Sequence, residues 1–217
     1  MIQEQVTIGS SALPGELTLP DHACGLVVFA HGSGSSRNSP RNRLVAESLH
    51  RHQLGTLLFD LLTDAEAVDR GNVFDISLLA CRIVQAIEWS RNRPDLAALP
   101  LGLFGASTGA AAALLTAAER PHDVSAVVSR GGRPDLASTE LERVRAPTLL
   151  IVGASDPEVL QLNREAYRLL NCEKRLELVP RATHLFEEAG TLERAAAAAC
   201  DWFAKHLSKR CAENASR

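Results

Sequence analysis

Ser107 stands in the pentapeptide Gly105-Ala106-Ser107-Thr108-Gly109. Leu101 to Phe104 run into it as an apolar stretch of buried-strand length, and Ala110 to Leu115 run out of it as strong helix formers. A serine at the apex of a strand–turn–helix is the setting in which Gly-x-Ser-x-Gly presents a nucleophile. The serine must take a strained backbone conformation to project its hydroxyl, and glycines on either side let strand and helix close around it. The helix then aims its unpaired N–H groups and positive dipole end at whatever is bound to Ser107. A glycine-rich turn with an incidental serine is the plainer alternative, and the strand and helix flanking it weigh against that.

A serine hydroxyl needs a base, usually a histidine that a carboxylate orients. Of seven histidines, His50, His52, His122 and His206 fall on helices or helix ends and read as surface residues, while His22 precedes its strand. His31 and His184 follow the carboxyl ends of strands. His184, in the loop between the last strand and the last helix, is the better base; His31 opens a Gly-Ser loop and reads as its buttress. Two aspartates follow strands between Ser107 and His184. Asp156 comes directly after Leu149–Gly153, and Asp135 sits several residues past Val124–Val128 in Gly-Arg-Pro-Asp. Asp156-Pro157 also reads as an ordinary helix cap. Charge developing on a substrate oxygen needs two donors. The N–H of Thr108 is one; the second comes from His31-Gly32-Ser33-Gly34, with Ser33 first choice and Gly34 second. The same loop could cradle phosphate, but it has neither the lysine nor the glycine spacing of a phosphate fingerprint.

The elements that must hold these residues are legible in order. Gln5–Ile8 and Glu16–Leu19 alternate polar and apolar around Gly9, Pro14 and Gly15, which predicts an antiparallel hairpin at a sheet edge. Gly25–Ala30 is continuously apolar, as a strand buried on both faces is; Gly55–Asp60, Leu101–Phe104, Val124–Val128 and Pro147–Val152 are further, mostly apolar strands, and Arg175–Val179 is a last strand. Helices are expected over about 41–52, from an Asp75 cap through Ile87, after the serine, from Pro157 to about Leu170, and from a Thr191 cap onward. Thr63–Asn72 reads as a polar connection. Alternating strands and helices predict an α/β fold: a mostly parallel sheet with helices on both faces, an antiparallel amino-terminal edge and no large cap domain. Function in such sheets collects in loops after the carboxyl ends of strands. One domain over 1–208 and a frayed polar tail over 209–217 are expected.

The composition of the 217 residues, 46% hydrophobic and 23% charged with net charge −3, is that of a soluble globular protein and gives no electrostatic reason to expect nucleic acid or an anionic membrane as partner. No run is long enough to span a bilayer, and Met1-Ile2-Gln3-Glu4-Gln5 lacks the features of a secretory signal. Five scattered cysteines without a C-x-x-C pair suggest reduced thiols in a cytoplasmic protein and no metal or redox site. A homodimer is compatible with the sequence.

The chain resembles the α/β-hydrolase superfamily, and within it the small, lidless, dienelactone hydrolase-like serine esterases. Phe29-Ala30-His31-Gly32-Ser33-Gly34, Gly105-Ala106-Ser107-Thr108-Gly109, Val152-Gly153-Ala154-Ser155-Asp156 and Ala182-Thr183-His184 carry the resemblance, which covers nearly the whole chain. It favours Asp156 over Asp135, because Ser…Asp…His is the chain order of that superfamily. It implies a triad of Ser107, Asp156 and His184, an acyl-enzyme, no cofactor and a small-molecule ester as substrate. Dienelactone hydrolases proper use a cysteine nucleophile; Ser107 in that place favours an ordinary carboxylic ester. A thioesterase, lactonase or peptidase would use the same triad, and a ligand-binding or interaction module with vestigial activity is the alternative of another class. The missing cap suggests an open, shallow cleft for short acyl chains. Arg130 and Arg133, or Arg37 and Arg41, could bind an anionic group of the substrate.

The two acids are separable. Asp156→Asn should cost about three to four orders of magnitude in turnover of p-nitrophenyl acetate, and Asp135→Asn little; a loss confined to the Asp135 variant would reverse the choice.

Overall fold

A computed structural model describes residues 1–214, with side chains described through residue 207. Eight strands form one sheet: β1 (Ile2–Ile8), β2 (Leu13–Leu19), β3 (Gly25–Ala30), β4 (Leu54–Phe59), β5 (Leu101–Ala106), β6 (Val124–Arg130), β7 (Thr148–Gly153) and β8 (Lys174–Val179). Their spatial order is β1-β2-β4-β3-β5-β6-β7-β8. β1 and β2 form the expected antiparallel hairpin, β2 joins β4 antiparallel, and all other pairs are parallel.

Continuous apolar runs make β3, β4, β5 and β7 buried along their whole lengths. Such strands need cover on both faces, and the helices supply it. On one face Val45 and Leu49 of α1 (Pro40–His50) and Ala195, Ala199 and Phe203 of α7 (Thr191–Asn214) share a core with Val27, Phe29, Phe104 and Ile151. On the other, Leu79, Ile83 and Ile87 of α4 (Ile76–Arg91) and the alanines of α5 (Thr108–Glu119) pack on Leu26, Val28, Leu57 and Leu103. α6 (Pro157–Leu169) adds Ala166 to that second core. Ala110–Ala113, all fully buried, let the first turn of α5 lie close against the central strands.

Several local expectations are modified. The connection after β4 is not structureless: it forms two short helices, α2 (Asp64–Ala67) and α3 (Arg70–Phe74). Asp75 caps α4 as expected, its Oδ1 accepting Leu78 N–H at 2.9 Å. Thr191 does not cap α7; it is already helical, and its hydroxyl donates back to Glu188 O at 2.6 Å. His206 is no surface residue: it is 8% exposed and packs on Trp202 with ring centroids 4.6 Å apart. The α7 backbone continues to Asn214; the remainder of the tail expected over 209–217, namely 215–217, lies outside the described residues.

The chain turns from β3 to β4 on one side and then crosses back to place β5 on the other. The loops after β3 and β5 therefore diverge from neighbouring strands, which opens a crevice at their carboxyl ends. The fit there is tight. A Cβ on Gly109 would lie 2.2 Å from Ala30 O and 2.4 Å from His31 O, both backbone atoms. Gly109→Ala should therefore destabilise the fold by about 3 kcal/mol in urea unfolding, through separation of α5 from β3; an unchanged midpoint would show that the packing yields cheaply.

Candidate active site

Ser107 sits at φ 51°, ψ −120°, a conformation that non-glycine residues rarely adopt. Backbone hydrogen bonds pin it. Its N–H donates to Arg130 O at 3.3 Å, and its carbonyl accepts from Ala110 N–H and from Arg133 N–H, both at 3.1 Å. Two of these partners lie at or after the end of β6, so the strand next to β5 holds the turn. A Cβ on Gly105 would meet Ala110 Cα at 2.4 Å, which fixes glycine there. The strain such a turn stores is of order 1–3 kcal/mol.

The loops after β7 and β8 are bound together by backbone: Ser155 N–H donates to Ala182 O at 2.9 Å. This brings Asp156 and His184 into contact, with His184 Nδ1 2.8 Å from Asp156 Oδ2. Asp156 is also the cap it resembled, since its other oxygen accepts Val159 N–H at 3.4 Å. One carboxylate thus serves both bonds. Its side chain is 14% exposed against 39% for His184, so the acid is enclosed and the imidazole reaches the surface. Gly131, directly after the residue that holds Ser107 N–H, lies against His184: a Cβ there would stand 3.6 Å from Nδ1. Asp135 is engaged elsewhere, accepting a two-pronged bond from Arg133 at 2.8 and 2.7 Å.

The Gly-Ser loop is tied down at three points. Gly32 packs on the serine, where an added Cβ would lie 3.0 Å from Ser107 Cβ. Ser33 N–H donates to Thr108 Oγ1 at 3.0 Å, so the residue after the serine holds this loop with its side chain while its own N–H belongs to the unpaired first turn of α5. Arg37 N–H donates to Asp60 Oδ1 at 2.7 Å, and its guanidinium pairs with Asp60 Oδ2. His31 buttresses the loop as its place implies. Leu61 N–H donates to His31 Nε2 at 3.1 Å, which makes Nδ1 the protonated nitrogen, donating to Gly32 O at 3.0 Å.

The arginines expected to bind substrate are occupied or turned away. Arg133 is forked onto Asp135. Arg37 is spent on Asp60, and Arg41 stands 3.4 Å from Glu187. Arg130 is 7% exposed and points into the core. Its guanidinium lies 5.7 and 6.0 Å from the Phe104 and Phe186 ring centres, and Nη2 donates to Asn42 Oδ1 at 3.3 Å. Burial pulls its pKa down to about 10, so it remains a cation at neutral pH, held by ring faces and an amide. Gly34, by contrast, lines a cavity of about 470 Å³ beside the loop, together with Ser33 and Thr108. Leu61, Leu62, Val73 and Phe74 line it too, and these the sequence reading missed. The available signal was Thr63-x-x-Glu66, a capping box that both side chains complete in the structure. Among the described residues no cluster of His, Cys, Asp or Glu could hold a metal, and no helix is long and apolar enough to cross a membrane.

Residues 62–209 match the dienelactone hydrolase family. The chain belongs to that family. It is 53% identical to a dienelactone hydrolase from Anabaena variabilis ATCC 29413, whose crystal structure superposes with a TM-score of 0.90 over 95% of this chain and 97% of that one. The esterase domain of a Rhodothermus marinus protein shares the fold at 18% identity, TM-score 0.75, over 95% and 100% of the two chains. A Mycobacterium tuberculosis (strain H37Rv) protein named as a phosphoribosyl transferase is 57% identical over 203 residues, 94% of this chain and 46% of its own length. The chain thus spans about half of the curated relatives it matches. The fold and family are those of an α/β hydrolase.

Burial holds the His31 pKa below its ordinary value of 6.5. The unfolded chain therefore takes up that proton more readily than the folded one. Stability is complete above pH ~6.5 and is lost as pH falls from there toward the folded-state value. His50, also lowered by burial, adds to the same slope. Melting temperature should drop between pH 7 and 5.5, and His31→Gln should flatten part of that drop; an identical slope in the variant would assign it elsewhere.

Proposed function

We propose that the protein is a serine hydrolase that cleaves small carboxylic esters through an acyl-enzyme at Ser107. The observation that carries this reading is the strained φ of 51° at Ser107, a conformation that projects a side chain at the end of β5 at a cost in backbone strain. Asp156 holds His184 by Nδ1, which leaves Nε2 to take the serine proton as the hydroxyl attacks the ester carbonyl. The N–H of Thr108 stabilises the oxyanion; Ser33 N–H, the first choice for the second donor, is spent on Thr108 Oγ1, so that role falls to Gly34, the next N–H of the loop. His184 returns the proton to the leaving alcohol, and water then hydrolyses the acyl-enzyme by the reverse path. No cofactor enters these steps.

The transferase name of the mycobacterial relatives belongs to chains of which this fold makes up 46%. The Gly-Ser loop, the segment here that could have cradled a phosphate, is drawn instead onto Thr108 and Asp60. Hydrolysis is therefore the reading pursued.

A fluorophosphonate probe should label the wild-type protein at a single serine, and Ser107→Ala should lose both labelling and at least about a thousandfold of p-nitrophenyl acetate hydrolysis. Persistent turnover in a folded Ser107→Ala protein would refute the assignment; an unlabelled, inactive wild type would point to a binding module of hydrolase fold.

A further inference from the structure

The 470 Å³ cavity is out of proportion to the short ester that an uncapped hydrolase was expected to take. It lies within the 300–1,000 Å³ range of sites that enclose whole small ligands. One end is formed by Gly32, Ser33 and Thr108, hence by the groups beside Ser107. The far wall is the strap of α2 and α3. Its lining includes an apolar set, Leu61 and Leu62 after β4, Val73 and Phe74 on the strap and Leu79 on α4, beside the charged Asp60, Asp64 and Arg70. Phe74 stays 45% exposed although it borders this space. An aromatic ring left half in water at the edge of a partly apolar cavity is a surface that a ligand can cover.

The strap is built to hold its shape. Thr63 and Glu66 cap α2 reciprocally, Asp69 Oδ1 accepts Gly71 N–H at 2.7 Å, and Asn72 Nδ2 donates to Glu66 O at 3.0 Å. The whole is pinned to α4 by Arg82, which is 7% exposed and donates to Glu66 Oε1 at 2.7 Å and to Ser11 Oγ at 2.6 Å. Two helices of four and five residues could not keep a fixed position alone; the ion pair between buried Arg82 and partly exposed Glu66 keeps them there.

We propose that this cavity is the specificity pocket of the enzyme, that it takes a bulky apolar group of the ester, branched or aromatic, and that the strap fixed by Glu66 and Arg82 is its selective wall. The proposal rests on the serine-hydrolase reading above. It extends the expectation of an open cleft for short chains: the cleft continues past Thr108 to the strap, and a short acyl group leaves most of that space unfilled.

The test reads a ratio. kcat/KM is measured for p-nitrophenyl acetate and p-nitrophenyl benzoate, which vary the acyl side, and for ethyl and benzyl acetate, which vary the alcohol side. The wild type should favour the bulky member in one of the two pairs. Ala67→Phe adds a ring at an exposed position on the cavity lining and should lower that bulky-to-small ratio at least about tenfold. Glu66→Gln releases the strap and should lower it through KM. Val68→Ser, on the outward side of the strap at 84% exposure, should leave it at the wild-type value. A small methyl fluorophosphonate reports Ser107 separately. Failure of the folded wild type to label would overturn the hydrolase reading; labelling with a ratio that neither Ala67→Phe nor Glu66→Gln moves would overturn the pocket alone.

Discussion

The backbone at Ser107 is where the rest of the structure converges. A positive φ at a non-glycine residue persists only when its surroundings over-determine it, and here the surroundings are specific. The end of β6 receives the serine N–H and Arg133, in the loop after it, donates to the serine carbonyl, Gly105 and Gly109 admit α5 to within contact of β5 and β3, and the alanine face of α5 keeps that contact close. Each of these conditions depends on the order of strands in the sheet. With β3 and β5 adjacent and their following loops diverging, the Gly-Ser loop comes to rest on the serine; with β7 and β8 adjacent, Asp156 meets His184.

This arrangement explains which parts were legible in the sequence. Strands buried on both faces are largely apolar, so their carboxyl ends can be counted off, and because helical crossovers make these strands parallel, the residues just past them share one edge of the sheet. That suffices to place Ser107, Asp156, His184 and the His31–Gly34 loop at the carboxyl ends of strands, and to anticipate the contact between Asp156 and His184. It suffices for His31 as buttress too, because the residue that opens a loop after a buried strand sits beside the next strand's exit, here Leu61.

Side-chain direction is harder to read. Arg130 follows Ala126 and Val128 with the two-residue period of β6 and therefore points into the same core as they do; reading it only as a strand-end residue placed it at the substrate. The strap escaped for a different reason. Helices of four or five residues are too short to show a 3.6-residue period, so Thr63–Phe74 looks merely polar unless its capping box is noticed. The bond from Ser33 N–H to the Thr108 hydroxyl joins residues 75 apart in sequence, and no local pattern announces such a crossing.

The two ends of the sheet have a consequence of another kind. A long parallel sheet with apolar strands invites a second copy to add on at an open margin. β1 is exposed along most of its length and presents Gln3, Glu4 and Gln5, while β8 carries Lys174, Arg175 and Glu177 on its outermost rail. Arg175 and Glu177 neutralise each other along that rail instead of offering a partner strand a flat apolar seam. The strands that would stick are interior, and the two margins meet water with charged and amide side chains that interrupt the exposed Ile2 and Leu178, so the chain can concentrate its apolar sequence around the crevice with less exposure to fibrous self-association.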